Sequence, residues 1–386
     1  MSSCLRELRR LPVGVGLCLA LAVAPAAGAT PRGKTPRPAV HRTAAHDTGA
    51  PAAPTYGPRE DVQRFGAELA ERQGLDAQWV LAALGAARFQ PTVARLIMPP
   101  PAGTAKNWAA YRARFVEPKR IRAGLDFWHA HERWLQQAAE VYGVPPEIVV
   151  GIVGVETLYG QQMGHFRAID ALATLAFDFP AGRKDRSAFF RDELEQLFVL
   201  CQGSVRREAC DPLALKSSFA GAIGMPQFMP SSVNRYAVDF DGDGRIDLQR
   251  NAADVIGSVA RYLAEFGWQR DLPTHFEVAV PVDAAERATL LVPDILPTFT
   301  AAQFEDHGAQ LAPAARAHDG LLALVELQNG DAAPSYVAGT TNFYAITRYN
   351  WSSYYALAVI ELGSAVKRQL FAASDSATAT KARAGP

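Results

Sequence analysis

One apolar segment constrains the fold more than any other feature, because it carries a carboxylate on its buried side. Residues 148–159 predict a helix, and Glu156 follows Ile152 by four positions, so both side chains share one apolar face. Burial makes an unpaired carboxylate costly and raises its pKa. Glu156 is therefore either a general acid near neutral pH or a structural glutamate satisfied by an arginine or by backbone donors. Gly151 and Gly154 predict close approach of another chain or a ligand to this helix.

A second segment, residues 216–232, is rich in small residues and prolines. This composition favours a shaped wall over a regular helix. Ser218 and Gln227 are polar residues among apolar neighbours in this segment. They fit a sugar-binding cleft, where a few directed hydrogen bonds orient a ring. A plain structural loop is the alternative interpretation.

Residues 239–247 match the first nine positions of an EF-hand calcium loop, with the turn glycine, Gly244, at the sixth position. The twelfth position, where a bidentate glutamate is usual, is Arg250, and Asp254 is the predicted substitute. We expect one Ca²⁺, with a structural role rather than a sensor role because a paired second loop is absent from the sequence. The predicted ligands are Asp239, Asp241, Asp243, Arg245 through its backbone carbonyl, Asp247 and Asp254.

The amino terminus has the features of an export signal. Three arginines, at positions 6, 9 and 10, precede an uncharged run over 11–29 that ends in the small-x-small pattern Ala27-Gly28-Ala29. Residues 1–29 are predicted to be a cleaved signal peptide, which makes the mature chain an exported protein. An uncleaved membrane anchor is the alternative, and no later segment is long and apolar enough to predict a membrane span.

Cysteine usage supports the same compartment. Cleavage after residue 29 would remove Cys4 and Cys18 and leave Cys201 and Cys210. In an exported chain, this remaining pair predicts a disulfide that closes a short loop. Two free thiols are the alternative, since sequence does not give the distance between the two Cα atoms.

Charge and length limit the class of protein. The chain has 39 basic and 39 acidic side chains, hence no surplus of positive charge of the kind that nucleic-acid binding requires. Nucleic acid is therefore excluded as an expected partner. The 386 residues exceed one typical domain of roughly 100–200 residues, which predicts two or three packed units.

Periodicity and composition divide the chain into segments. We predict a flexible linker over 30–58, a helical domain over 59–143, a core over 144–272, a small β domain over 273–341, a returning segment over 342–371 and a disordered tail over 372–386. The β domain is indicated by alternation from Phe276 and by an Asn329-Gly330 turn between two apolar runs. The predicted fold class is mainly α, with the small β domain making it α+β.

Five motifs in this order resemble the B-type lytic murein transglycosylases, lysozyme-like enzymes of the bacterial periplasm. The resemblance covers residues 60–366. Its motifs are GVETLYG at 154–160, DALATL at 170–175, FAGAIGMPQFMPSS at 219–232, the calcium loop at 239–247 and NFYAITRYN at 342–350. It implies a helical domain, a lysozyme-like core that holds both the cleft and the calcium loop, and a small β domain.

The resemblance also implies roles for single residues. Glu156 matches the family's catalytic acid/base. A pair of arginines usually follows the Phe-Pro of this family, whereas Ala181-Gly182 follow here, and which of the later bases Arg183, Lys184 and Arg186 meets the substrate stays open. Six positions match residues that line the family's glycan cleft: Ser218, Gln227, Tyr262, Tyr349, Asn350 and Tyr355.

The implied reaction is non-hydrolytic cleavage of the β-1,4 bond between N-acetylmuramic acid and N-acetylglucosamine in peptidoglycan, giving 1,6-anhydromuramyl ends. Glu156 would act first as acid and then as base. Glycosidases with two protein carboxylates place them about 5–9.5 Å apart, and no second acid shares the Glu156 helix face, although Asp170 and Asp178 stay open. The alternatives are a hydrolytic muramidase and a non-catalytic peptidoglycan-binding protein. Glycan strands are the expected partner, with other cell-wall enzymes as additional candidates.

Overall fold

The computed structural model describes residues 54–99, 106–203 and 209–383. The predicted signal peptide and nearly all of the predicted linker lie outside the described residues. Within the described ranges, the chain is mostly helical, with one two-stranded and one four-stranded sheet. The prediction of a mainly α fold is therefore confirmed.

Helices make up the amino-terminal part of the described chain. They are α1 (Glu60–Gln73), α2 (Ala77–Ala86), α3 (Pro91–Leu96), α4 (Trp108–Arg112) and α5 (Pro118–Tyr142). The longest of these five, α5, begins where the Glu117 carboxylate accepts hydrogen bonds from two backbone N–H groups and Pro118 takes the first helical position. It ends at Gly143, whose φ of 73° is the left-handed conformation that glycine adopts at least cost.

The middle of the chain forms the main core. Its elements are α6 (Pro146–Thr157), β1 (Phe166–Arg167), α7 (Ala168–Phe177), α8 (Ser187–Cys201), β2 (Lys216–Ser217), α9 (Pro230–Tyr236) and α10 (Ala252–Glu265). β1 and β2 pair antiparallel. Nearly every residue of α6 and α7 is buried. A helix that is apolar on all sides needs neighbours all around it, and this requirement puts α6 at the centre of the fold.

A four-stranded antiparallel sheet with its own small core follows. The strands β3 (His275–Ala279), β4 (Gln310–Leu311), β5 (Ala323–Asn329) and β6 (Ala332–Gly339) lie in the order β4-β3-β6-β5. The predicted hairpin at the Asn-Gly turn is confirmed, because β5 and β6 pair across Gly330. The short helices α11 (Ala284–Leu291), α12 (Ala301–Asp306) and α13 (Pro313–Arg316) contribute to a second apolar cluster around Leu290, Phe304 and Leu324.

Two final helices return to the main core. These are α14 (Thr341–Tyr349) and α15 (Ser353–Arg383). A Cβ atom at Gly151 would lie 2.2 Å from the Val359 carbonyl oxygen, and one at Gly363 would lie 1.9 Å from the Glu147 carbonyl oxygen. Helices α6 and α15 therefore touch backbone to backbone, as the glycines of α6 predicted. This contact brings the first turn of α15 to the carboxyl end of α6.

Two predicted boundaries are wrong. The folded chain begins before residue 59, because Tyr56 is only 2% exposed and its hydroxyl donates to Asp178 at 2.6 Å. One aromatic ring in a proline-rich stretch gives no periodicity, so the sequence hid this anchor. At the other end, α15 continues to Arg383 and includes most of the predicted disordered tail. Alanine is the strongest helix former, and extending an existing helix costs far less than starting one.

Among the described residues, no single helix is long and apolar enough to cross a bilayer. Helices α5 and α6 pass by length and composition only as a pair, and that pair is bent by 115°.

Candidate active site

Glu156 lies in the last turn of α6, where the backbone makes an unusual stop. Leu158 and Tyr159 follow with φ of 49° and 55°, a left-handed conformation that non-glycine residues rarely adopt. Such strain persists only where the surroundings fix it, and it is concentrated at functional sites. Here the Thr157 hydroxyl donates to the Met225 carbonyl at 2.8 Å and accepts from the Gly160 N–H at 3.0 Å. The turn is thereby tied to the 216–232 wall.

The carboxylate of Glu156 is half-buried and has one hydrogen-bonding side-chain partner among the described residues. The Tyr355 hydroxyl, on the first turn of α15, donates to Glu156 Oε1 at 2.6 Å. Burial raises the pKa of Glu156 to about 7, while the hydrogen bond from Tyr355 acts in the opposite direction. At neutral pH the group is thus divided between its acid and its carboxylate form. A side chain in this state can donate a proton and take one back.

Three tyrosines lie near this carboxylate, of which Tyr262 and Tyr355 are buried and Tyr349 is half-buried. The rings of Tyr349 and Tyr355 stack with centroids 6.3 Å apart, and those of Tyr262 and Tyr349 are 4.9 Å apart. Tyr262 donates its hydroxyl to the Arg348 carbonyl at 2.6 Å, and Tyr349 donates to the Pro226 carbonyl. Burial and the negative charge of Glu156 raise the pKa of all three phenols. They therefore remain neutral hydrogen-bond donors wherever Glu156 titrates.

Ser218 and Gln227 shape the wall through contacts with its own backbone. Ser218 Oγ accepts from the N–H groups of Ala220 at 3.3 Å and Ala222 at 3.2 Å. Gln227 adopts a left-handed φ of 52°, and its amide nitrogen donates to the carbonyls of Gly224 at 2.9 Å and Met163 at 3.3 Å. Both side chains are buried and hold the turn in place.

Asn350 is buried with an unused acceptor. It is 7% exposed, and its Oδ1 has no hydrogen-bond partner in the described part of the chain. A buried polar atom without a partner is costly and calls for a ligand or water. Asn350 directly follows Tyr349 and thus lies at the edge of the tyrosine cluster.

The two acids that the sequence left open are engaged elsewhere. Asp170 is 2% exposed and pairs with Arg167 at 2.7 Å. Asp178 pairs with Arg59, also at 2.7 Å, and accepts from Tyr56. Burial and the Tyr355 hydrogen bond account for the shifted pKa of Glu156, and no carboxylate of the described residues contributes to that shift.

Arg120 is a residue of this site that the sequence analysis missed. It is buried, lies on α5 and donates Nη1 to the Gly154 carbonyl, which also accepts from the Leu158 N–H at the end of α6. A cation at the carboxyl end of a helix stabilises the unpaired carbonyls there. The one sequence feature that indicates this contact is an arginine on the apolar face of α5.

The acidic loop holds its carboxylates in two groups. Oxygens of Asp239, Asp241 and Asp254 lie within 4.8 Å of one another. Asp254 is fully buried and accepts from the N–H groups of Phe240 at 2.9 Å and Asp247 at 2.8 Å. Burial raises the pKa of Asp254 to about 6, and the charges of Asp239 and Asp241 add to the shift.

The remaining predicted ligands of the loop make local turn contacts. Asp243 Oδ1 accepts from the Arg245 N–H at 2.8 Å, and Asp247 Oδ1 accepts from the N–H groups of Gln249 and Arg250. The structure thus gathers three of the predicted carboxylates. Asp243 and Asp247 are in the loop but outside that cluster.

The basic residues after Phe179-Pro180 are held by packing. Arg183 donates to the Ile97 carbonyl, and its guanidinium lies 5.8 Å from the centre of the Phe179 ring. The Arg186 guanidinium lies 4.5 Å from the Phe189 ring centre. Both contacts orient the two bases, and neither identifies the one that meets a substrate.

Cys201 and Cys210 form a disulfide in the structure, with 4.4 Å between their Cα atoms. The bond joins the end of α8 to the chain beyond residues 204–208, which lie outside the described ranges. The Cys210 N–H also donates to the Cys201 carbonyl at 2.9 Å. The bridge therefore closes a short loop at the end of a core helix.

Comparison with known proteins identifies the family of this chain. The family model described as "Transglycosylase SLT domain" matches residues 57–364. The chain is 40% identical over 314 residues to membrane-bound lytic murein transglycosylase B of Escherichia coli K12, an alignment that covers 79% of this chain and 82% of the relative.

Solved structures show the same likeness. Catenated lytic transglycosylase SltB1 of Pseudomonas aeruginosa aligns with a TM-score of 0.73 at 36% identity, over 82% of this chain and 99% of that one. The lytic transglycosylase Slt35 of Escherichia coli in complex with calcium aligns with a TM-score of 0.70 at 36% identity, over 83% and 96%. The chain belongs to the transglycosylase SLT domain family, and the predicted membership of the lytic murein transglycosylases is confirmed.

Proposed function

We propose that this protein cleaves the β-1,4 bond between N-acetylmuramic acid and N-acetylglucosamine in murein without water, and that Glu156 is its one catalytic acid/base. The observation that carries the proposal is the half-buried Glu156 carboxyl group, whose pKa is raised to about 7 and whose partner is Tyr355 rather than another acid. A single carboxyl group that titrates near neutral pH suits a reaction in which one residue gives and then removes a proton.

The reaction proceeds in two steps. Protonated Glu156 donates its proton to the glycosidic oxygen as the bond to muramyl C1 breaks, and the N-acetylglucosamine end leaves as an alcohol. The acetamido oxygen of the muramyl residue stabilises the electron-poor C1, because a second protein carboxylate is not at hand. The Glu156 carboxylate then removes the proton of the C6 hydroxyl, whose oxygen bonds to C1. The product is a 1,6-anhydromuramyl end, and Glu156 is protonated again.

The other predicted cleft residues position the glycan in this proposal. Tyr355 holds the Glu156 carboxyl group. Tyr262 and Tyr349 form a neutral wall beside it, and Asn350 Oδ1 is an acceptor ready for a sugar N–H or O–H. Ser218 and Gln227 set the shape of the adjoining 216–232 wall through their buried turns.

The products of murein digestion test the proposal. We expect purified mature protein to release muropeptides that end in 1,6-anhydromuramic acid, measured by mass spectrometry. Reducing muramic acid, heavier by one water, would instead identify a hydrolytic muramidase. Binding to murein without release of fragments would identify a non-catalytic binding protein, and either result contradicts the proposal.

We also propose that the acidic loop binds one Ca²⁺ with a structural role. Calcium prefers six to eight oxygen ligands, and the loop offers carboxylates together with the Arg245 carbonyl at the seventh EF-hand position. Converging carboxylates of Asp239, Asp241 and Asp254 support this fit. Asp243, which is exposed, and Asp247, which is half-buried, would complete the ligand set. The ion would join the loop to the start of α10 and takes no part in the chemistry.

Calcium should raise the thermal stability of the protein. An ion that binds only the folded state adds about 2.7 kcal/mol when its concentration is a hundredfold above Kd. We expect the unfolding temperature to rise with added Ca²⁺ and Asp239→Asn to remove most of that rise, as measured by calorimetry. The control is Asp331→Asn, the same change in the exposed β5–β6 turn. An equal rise in the Asp239→Asn variant, or none in the wild type, would contradict calcium binding at this loop.

The location and domain limits are part of the same proposal. We infer that residues 1–29 are cleaved and that the mature chain acts in the periplasm, where murein lies. A helical part that begins by Tyr56 and ends at residue 143, the core 144–272 and the β domain 273–341 are proposed as the three units, and the chain from residue 342 returns to the core. Separate apolar clusters in the main core and beside the sheet support the division between the second and third units.

A further inference from the structure

A cavity of about 410 Å³ lies where the sheet meets the first turn of α15. Residues from α4, β5, the end of α11 and the α14–α15 connection line it. Its aromatic and charged lining consists of Lys106, Tyr111, Asp294, Glu326, Trp351 and Tyr354. The cavity is thus formed jointly by the β domain and by helices that pack on the main core.

This cavity adjoins the candidate active site. Tyr354, which lines it, is the chain neighbour of Tyr355, the partner of Glu156. The rings of Tyr354 and Tyr111 meet edge to face with centroids 5.7 Å apart, and Tyr111 is close enough to Tyr355 to affect its pKa. The first turn of α15 therefore contributes both to this cavity and to the Glu156 site.

The carboxylate of Glu326 in this cavity is held in position by hydrogen bonds. Tyr336 donates to Glu326 Oε1 at 2.8 Å, and the Gln328 amide donates to Oε2. The Gln328 carbonyl in turn accepts from the Tyr354 hydroxyl at 2.9 Å. Glu326 is therefore a fixed carboxylate on β5, since both of its oxygens are anchored. Asp294 adds a second carboxylate, exposed, at the end of the helical turn after α11.

Aromatic faces next to carboxylates suit an ammonium group. Cations are attracted both to the negative face of an aromatic ring and to a carboxylate, and the two attractions act together when both groups line one cavity. Trp351 is 38% exposed, which leaves part of its ring open to such a contact. Lys106 contributes the opposite charge, so the lining is suited to a ligand that has an ammonium group and a carboxylate together.

We propose that this cavity binds the peptide chain of murein, by the side chain of a diamino acid that ends in both an ammonium group and a carboxylate. Glu326 and Asp294 hold the ammonium group against Trp351, and Lys106 holds the carboxylate. A neutral sugar would bring no charge to complement the two carboxylates and the Lys106 ammonium group. This proposal rests on the proposed action on murein. It places the peptide in this cavity and not beside the basic residues around Arg183.

Asp294→Asn is the cleanest test, because asparagine tolerates the left-handed φ of 55° at this position. The substrates are glycan strands with diaminopimelate-containing peptides, the same strands with lysine in place of diaminopimelate, and strands freed of peptide by an amidase. We expect the variant to raise KM on the diaminopimelate strands about fivefold, the value of one exposed ion pair of roughly 1 kcal/mol. The value of kcat should stay unchanged.

Controls separate the peptide from the glycan. On strands without peptide, Asp294→Asn should match the wild type. Lys106→Met should raise KM on diaminopimelate strands and leave it unchanged on lysine strands, which lack the second carboxylate. Asp306→Asn, the same change elsewhere in the β domain, should match the wild type on all three substrates.

Two results would overturn the peptide assignment. One is an equal change in KM on strands with and without peptide, which would make the cavity a glycan site. The other is an unchanged KM on every substrate for both Asp294→Asn and Glu326→Gln. Failure of the proposed function is a separate result, because wild-type protein would then release no anhydromuramyl product from any of the three substrates.

Discussion

Glu156→Gln lowers the rate of anhydromuramyl release by about a thousandfold or more and leaves the fold intact. General acid–base catalysis contributes about 10²–10⁴-fold in enzymes, and here one residue serves both proton transfers. Glutamine has almost the shape of glutamate and keeps an oxygen that accepts from the Tyr355 hydroxyl. The loss therefore reports the missing proton and not a disturbed structure. Release of muropeptides from sacculi, measured by mass spectrometry, gives the rate.

Glu147→Gln is the matched control for this variant. Glu147 lies on the same helix, in its first turn, and pairs with Lys367 at 2.7 Å. Its substitution should leave the rate close to that of the wild type. Thermal unfolding of both variants shows whether the helix is intact. Substantial turnover by folded Glu156→Gln protein would contradict the assignment and direct the search to another acid.

Tyr355→Phe shifts the alkaline limb of the pH–rate profile to higher pH. The hydroxyl donates to the Glu156 carboxylate at 2.6 Å and so lowers the pKa of Glu156, which burial alone would place still higher. Without the hydroxyl, Glu156 keeps its proton to a higher pH. The first step needs that proton, so activity persists further into the alkaline range. The shift appears in kcat/KM measured across neutral and alkaline pH.

The same variant also loses rate at its optimum. A hydrogen bond to a charged group contributes about 1.5–3 kcal/mol, and the second step needs Glu156 as a carboxylate. We expect kcat to fall on the order of tenfold. Tyr142→Phe is the control, since Tyr142 is a half-buried tyrosine that packs on Phe240, at the far end of α5. An unchanged pH profile in Tyr355→Phe would contradict the coupling of the two groups.

The raised pKa of Glu156 also makes the free energy of unfolding depend on pH. The pKa of Glu156 is raised in the folded protein, so folding favours its protonated form. Its contribution to stability is therefore largest below the ordinary glutamate pKa and is lost as the pH rises through about 7. The active site is thus held at some cost in stability in the pH range where the carboxylate is needed. Such a cost is common at catalytic groups.

Local sequence patterns predicted most of the chemistry. The four-residue spacing from Ile152 placed Glu156 on the apolar face of α6, and the Asn329-Gly330 turn predicted the β5–β6 hairpin. The spacing of the acidic loop predicted a calcium site, and the structure gathers Asp239, Asp241 and Asp254. These features depend on residues close together in the chain, where helix period, turn chemistry and ligand spacing act directly.

Contacts between distant segments could not be predicted from such patterns. Tyr56 meets Asp178 across 122 positions, and nothing around either residue signals the pair. Arg120 reaches the end of α6 from another helix. The cavity beside β5 depends on how α4, β5 and α15 meet. Each of these contacts is fixed by the packing of whole elements and not by a local preference.

The sequence by itself therefore determined the helical class, the family motifs, the catalytic candidate and the acidic loop. Only the tertiary structure decided which partner Glu156 has. Tyr355 lies 199 positions away and reaches it because Gly151 and Gly363 let α15 touch α6 backbone to backbone. The physical reason is that a pKa is set by the burial and charges around a group in space. Those surroundings come from helices that are far apart in the chain.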